Sequence, residues 1–308
     1  MTLDPQIAAL LPALNEGFPR VETMTGVKAR AAIRARYAPP AALLPMRTVT
    51  DETASGPGGE IPIRVYRPDV SGPLPTVVFA HGGGFVFCDM DSHDGLCRRL
   101  AGQMPAVVVS VDYRRAPEHR WPTAAQDMFL ATCWVVRNAR ALGGDPKRVI
   151  VCGDSAGGNL AAVTALMARD MGGPALAGQV LIYPVLDADF DTPSYREYAK
   201  GYYNTRAAMQ WYWDQYLPDC ALRTHPYAAP LRADLSGLPP AVVVTARYDP
   251  PCSEGEAYAR ALKEAGVPVR YRRYDNAIHG FMTMSSLNLA GTAIERLCRD
   301  VDELLTKP

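Results

Sequence analysis

The stretch Val149-Ile150-Val151-Cys152-Gly153-Asp154-Ser155-Ala156-Gly157-Gly158-Asn159-Leu160-Ala161-Ala162-Val163 passes from an apolar run, through a serine flanked by glycines, into a helix-forming run. It predicts a strand, a sharp turn and a helix, with Ser155 at the apex. The G-x-S-x-G spacing suits such a turn because the serine sits in a strained backbone conformation. Hydrogen-sized side chains two residues to either side let strand and helix approach each other. A nucleophile in that position is exposed by construction. Upstream, Thr76-Val77-Val78-Phe79-Ala80 runs into His81-Gly82-Gly83-Gly84-Phe85, a loop of the kind that supplies backbone N–H donors to an oxyanion. A small residue at a tight turn is the plain alternative for Ser155. The glycine loop, following a β-branched run of its own, argues against it.

A serine on this kind of turn finds its partners in the chain order serine, acid, histidine, each at the end of a later strand. Ala241-Val242-Val243-Val244-Thr245 is the clear strand after Ser155 that leads promptly to an acid, Asp249. Of the five histidines only His279 follows it, after the strand-like Val267-Pro268-Val269-Arg270-Tyr271-Arg272. His279 is therefore the candidate general base, and Asp249 the group that fixes its tautomer and stabilises the imidazolium. The candidate oxyanion donors are the N–H groups of Gly82, Gly83 and Ala156. Rival acids are Glu254 and Glu256, which read as first-turn helix residues, and Asp275, four positions before His279. Asp249 itself has a plainer reading as a turn or cap residue before Pro250-Pro251. His81 is expected to brace its glycine loop, and His93, His119 and His225 read as ordinary polar loop residues.

These residues resemble the hormone-sensitive-lipase-like esterases, the bacterial family IV branch of the α/β-hydrolases. The resemblance is carried by His81 to Phe85, by Asp112-Tyr113-Arg114-Arg115-Ala116-Pro117-Glu118-His119 with Pro122 and Asp127, by Gly153 to Leu160, and by Ile182-Tyr183-Pro184. Tyr248-Asp249-Pro250 and His279-Gly280-Phe281 complete it, so the motifs span roughly residues 75 to 285. The resemblance implies an α/β fold with a mostly parallel eight-stranded sheet, helices on both faces and a helical cap. It also implies a carboxylic-ester hydrolase that favours short acyl chains and uses no cofactor or metal, with Ser155, Asp249 and His279 as its triad. Two departures stand out. Pro251-Cys252-Ser253 precede Glu254-Gly255 where the family often has Leu-Arg-Asp, and Cys88-Asp89 follow the glycine loop where a glycine is frequent.

The rest of the chain sets bounds. At 308 residues and 48% hydrophobic, it suits one catalytic domain with a cap better than two independent domains. The expected division is residues 1–45 as the first part of the cap, 46–185 as the first part of the core, 186–230 as a cap insertion and 231–308 as the rest of the core. Lysine plus arginine balance aspartate plus glutamate at 32 each, so no global field recruits nucleic acid or an acidic membrane. Seven cysteines without a Cys-x-x-Cys pair argue against a disulfide framework or a zinc site. No run reaches the length of a membrane span and no basic-then-apolar leader opens the chain, so a cytoplasmic protein is the default expectation.

An antiparallel pair is expected over residues 47 to 68 around Ser55-Gly56-Pro57-Gly58-Gly59, and strands near 76, 107, 148, 179, 241 and 268 alternate with helices. Residues 186 to 230 are crowded with Phe190, Tyr195, Tyr198, Tyr202, Tyr203, Trp211, Tyr212, Trp213 and Tyr216. Most of these rings are expected to pack within the cap and several to face the pocket. The Val267–Tyr274 run reads as a sheet edge, where related esterases pair, so a homodimer is an expectation by analogy. The same triad serves an amidase, a carbamate hydrolase or a lipase. The reading from another class is a hydrolase-derived receptor for a small ligand, a kind of protein that commonly loses the serine or histidine retained here.

Overall fold

Val107–Val111 and Val149–Cys152 flank Thr76–Ala80 on its two sides in parallel register, so that Val78 is paired with Val109 on one side and Val151 on the other. Such runs are apolar throughout because both faces of a central parallel strand are buried. The computed structural model describes residues 2–40, 42–56 and 59–306; Pro57 and Gly58, in the expected first hairpin turn, lie outside the described residues. The chain opens with helices α1 (Pro5–Gly17) and α2 (Gly26–Arg34), followed by strands β1 (Thr48–Gly56), β2 (Gly59–Arg67) and β3 (Leu74–Ala80). Helix α3 (Asp94–Gln103), β4 (Val107–Val111), α4 (Thr123–Asn138), β5 (Gly144–Asp154), α5 (Ala156–Asp170) and β6 (Gly178–Ile182) come next. Two helices, α6 (Pro193–Glu197) and α7 (Arg206–Tyr216), precede β7 (Ala241–Tyr248), α8 (Cys252–Glu264), β8 (Val269–Ile278) and α9 (Asn288–Thr306).

Among the described residues the strands form one sheet of eight in the order β1-β2-β4-β3-β5-β6-β7-β8. β1 and β2 are antiparallel to their neighbours, and the other six run parallel. Alternation along the strands sends side chains to opposite faces. Val77, Phe79, Val108, Ile150 and Cys152 pack with Leu96 and Leu100 of α3 and Ile294 and Leu297 of α9. Their neighbours Val78, Val109 and Val149 pack with Met128 and Val135 of α4 and Leu160 and Val163 of α5. This is the α/β-hydrolase fold. β8 lies at one edge of the sheet, as its mixed Arg-Tyr sequence predicted. Among the described residues no helix is long and apolar enough to cross a membrane.

The glycines at the strand–helix turn explain how tightly the sheet and α5 meet. A Cβ at Gly153 would stand 2.1 Å from the Gly157 carbonyl oxygen, and one at Gly157 would stand 2.0 Å from that of Ala80. Both obstructing atoms are backbone, so relief requires moving α5 away from β3. Gly157→Ala is expected to destabilise the protein by about 3 kcal/mol or more, read as a lowered urea midpoint. An unchanged midpoint would mean that the turn is looser than these distances imply.

Candidate active site

Ser155 has φ 56° and ψ −119°, a positive-φ conformation unusual for any residue but glycine. Three backbone hydrogen bonds hold it there. Its N–H donates to the Ile182 carbonyl (2.8 Å), and its own carbonyl accepts from Asn159 and Val185 (3.2 Å each). The residue, 8% exposed, stands at the carboxyl end of β5.

Strand register brings the partners in. Tyr248 of β7 pairs with Ile278 of β8, so the next residues along each strand, Asp249 and His279, emerge side by side at the sheet's carboxyl end. His279 Nδ1 lies 2.7 Å from Asp249 Oδ2, and His279 Nε2 lies 2.8 Å from Ser155 Oγ. Asp249 is fully buried, and burial pushes its carboxyl above the usual carboxylate range, opposed by the His279 imidazole and by the Asn204 amide at 3.5 Å. The rival acids point elsewhere. Glu254 is also buried, and burial drives its carboxyl well upward, but Oε1 accepts from the Leu186 N–H (2.9 Å). Asp275 is taken by Arg273 (2.7 Å), and Glu256 lies 3.7 Å from the same arginine.

The glycine loop requires a correction. Ala80 pairs with Gly153, so the loop after β3 lies against Asp154 after β5, and the Gly82 N–H donates to Asp154 Oδ1 at 2.9 Å. That bond removes Gly82 from the candidate oxyanion donors. Gly83 and Gly84 line the pocket with Ser155 and His279, and their N–H groups make no hydrogen bond among the described residues. Ala156 begins α5, where the first N–H groups have no partner within the helix. Gly84, absent from the sequence-based set, thus takes the place of Gly82. Its φ of 59° and a Tyr212 ring atom 2.5 Å from a would-be Cβ both require glycine.

His81 braces this loop. Burial drives its pKa well below the ordinary imidazole value, so the ring is neutral, with Nδ1 2.7 Å from the Gly82 carbonyl and the Tyr113 ring stacked at 4.3 Å. His93 is not the ordinary loop residue its sequence setting suggested. It is buried, its Nε2 lies 3.2 Å from Asp154 Oδ1, and its Nδ1 lies 3.0 Å from Ser92 Oγ. A single oxygen, Asp154 Oδ1, thereby meets both the His93 ring and the loop it orients. Sequence reasoning also missed Arg30 of α2, which donates to the carbonyls of Val86 and Ala116 (2.7 Å each) and forks onto Glu118.

The two departures from the family pattern have local explanations. Cys88 has φ 63°, a conformation that favours glycine, and it lines the pocket wall. After Asp249, the Ser253 N–H donates to Ser194 Oγ (3.0 Å) and Ser253 Oγ accepts from the Ser194 N–H (3.1 Å), which ties the loop to α6. Of the aromatics in residues 186 to 230, Tyr195, Trp213 and Tyr216 are fully buried, and Tyr216 stacks on Phe85 at 3.8 Å. Tyr203 and Tyr212 face the pocket. Phe18 joins them from the N-terminal segment, edge-on to Tyr203 at 5.2 Å.

Sheet, turn and aligned Ser-His-Asp side chains together define an α/β-hydrolase. Comparison with known proteins agrees: a family model described as alpha/beta hydrolase fold matches residues 77–283. The chain is 42% identical over 289 residues to carboxylesterase NlhH of Mycobacterium tuberculosis, covering 91% of this chain and 90% of that protein. It is 36% identical over 302 residues to an ethyl acetate hydrolase of Pseudomonas putida, covering 93% and 94%. The crystal structure of a thermostable esterase from Pseudomonas putida ECU1011 superposes with a TM-score of 0.94 at 39% identity, covering 100% of this chain and 99% of that one. The chain belongs to the hormone-sensitive-lipase-like carboxylesterases, enzymes that hydrolyse carboxylic esters.

Proposed function

We propose that this esterase hydrolyses small, short-acyl carboxylic esters through an acyl-enzyme intermediate on Ser155. The single observation that carries the reading is the unbroken line from Asp249 through His279 to Ser155, with 2.7 and 2.8 Å links. In this mechanism His279 Nε2 takes the Ser155 proton as Oγ attacks the acyl carbon, then returns it to the leaving alkoxide. Water deacylates the serine by the same route in reverse. The N–H groups of Gly83, Gly84 and Ala156 receive the tetrahedral oxyanion, each donor worth roughly a hundredfold or more in rate. Residues 1–45 and 186–230 act as the cap, placing Phe18, Tyr203 and Tyr212 over the serine and excluding water from the intermediate. The short-acyl preference is supported by the catalytic pocket itself, only about 110 Å³ in volume and walled by those rings.

A fluorophosphonate probe is expected to label Ser155, and rates on p-nitrophenyl esters are expected to peak at acetate to butyrate and to fall steeply by decanoate. A protein that stays unlabelled is a receptor rather than an enzyme. Rates that rise with chain length indicate a lipase, and faster cleavage of the matching anilides an amidase.

A further inference from the structure

A second cavity of about 340 Å³ adjoins the catalytic pocket. Phe18, Cys88 and Tyr203 line both, so the two chambers share a wall of three side chains. The second chamber differs in charge: four guanidinium groups and one carboxylate, that of Asp89, line it.

Three of the four cations are compensated. Arg30 forks onto Glu118 at 2.8 and 2.6 Å, Arg34 meets Asp89 at 2.5 Å and Asp91 at 2.9 Å, and Arg115 lies 3.5 Å from Asp112. Arg36 is not compensated. Among the described residues its side chain makes no hydrogen bond or ion pair, and the guanidinium lies close to Gly17, where a Cβ would come within 2.7 Å of it. Its charge also reaches the shared wall, since it opposes the rise that burial imposes on the Tyr203 phenol. A planar, doubly donating cation left without a partner matches the geometry of a carboxylate, which accepts two parallel N–H bonds from it.

We infer that this chamber is an anion-recognising subsite: the preferred substrates are esters in which one arm carries a free carboxylate, and Arg36 is the residue that selects it. The inference rests on the ester-hydrolase reading and narrows its substrate class. Arg36 is exposed to solvent, so the gain is that of a solvated ion pair with favourable geometry, about two- to fivefold in kcat/KM.

The test compares each charged ester with its neutral amide isostere. Monoethyl glutarate against ethyl 4-carbamoylbutanoate puts the charge on the acyl arm. Sodium 4-acetoxybutanoate against 4-acetoxybutanamide puts it on the alcohol arm. One of the two pairs is expected to show the preference of about two- to fivefold, shrinking as ionic strength rises from about 0.01 to 1 M and disappearing in Arg36→Gln. The ratio within a pair, rather than the absolute rate, is the readout, so general damage to the variant cancels. Ratios near one in both pairs, or a preference that survives in Arg36→Gln, overturn the subsite while leaving the esterase intact. If p-nitrophenyl butyrate is hydrolysed and none of the four is, the subsite alone falls; if p-nitrophenyl butyrate is untouched as well, the short-acyl reading falls and the subsite with it.

Discussion

Replacing Ser155 with alanine is expected to lower kcat on p-nitrophenyl butyrate by about five to six orders of magnitude while the protein stays folded. The loss is this large because in the proposed mechanism the hydroxyl oxygen forms the covalent intermediate, and the His279 ring 2.8 Å away then has nothing else to activate. The fold survives because, among the described residues, the removed oxygen makes no hydrogen bond other than that to His279. Alanine, however, inherits the strained backbone at φ 56°. Strain of this kind costs about 1–3 kcal/mol, which glycine relieves against an entropy penalty of roughly 0.4–1 kcal/mol in the unfolded chain. Ser155→Gly should therefore be as inactive as Ser155→Ala but more stable, a difference visible in urea midpoints. Residual turnover within a hundredfold of wild type in both variants would remove Ser155 as the nucleophile.

The strain is sustained by the elements around the turn. The Ile182 carbonyl at the end of β6 fixes the Ser155 N–H, and the bare faces of Gly153 and Gly157 let α5 press against the end of β3. Asp154 then uses its carboxylate on the neighbouring loop, so the residue before the proposed nucleophile also holds the loop that carries the proposed oxyanion donors. The serine turn and the glycine loop are thus one mechanical unit built on the β3–β5 pairing, 72 residues apart in sequence at the Gly82–Asp154 bond.

What the sequence made legible and what it hid divide along a physical line. Val77–Ala80, Val107–Val111 and Val149–Cys152 announced the sheet because a strand buried on both faces must be apolar along its length. Ser155, Asp249 and His279, which the fold brings within hydrogen-bond distance of one another, could be singled out because each stands just past a strand, a position that a run of valines marks. Gly82 was misassigned because spacing reveals that a glycine is present but not where its N–H points. His93 was misread because a polar residue between Asp89 and Asp94 looks solvated until Asp154, distant in sequence, is folded beside it. Arg30 left no trace at all: its contacts with Val86 and Ala116 join a side chain to backbone oxygens 56 and 86 positions away, and backbone acceptors carry no sequence signature.

Asp249→Asn is expected to cut kcat by about 10³- to 10⁴-fold with KM changed only a few-fold. The reason lies in which way the new amide faces. Asn204 Nδ2 approaches Asp249 Oδ1, so the amide oxygen is favoured on that side and the amide N–H₂ is turned toward His279 Nδ1. An imidazole that accepts at Nδ1 carries its proton on Nε2, the atom 2.8 Å from Ser155 Oγ, and so cannot receive the serine proton. The carboxylate that would stabilise the imidazolium is lost in the same substitution. Glu254→Gln and Asp275→Asn serve as comparisons, since their carboxyls contact the Leu186 N–H and Arg273 rather than the histidine. Both should keep kcat within about tenfold of wild type, although Glu254→Gln alters a buried backbone cap and is expected to lower the urea midpoint. A loss below tenfold in Asp249→Asn, together with a collapse in either comparison, would transfer the acid's role to the other carboxylate. That transfer would require His279 to leave a 2.7 Å contact with a fully buried group for a carboxyl that must first give up its present partner.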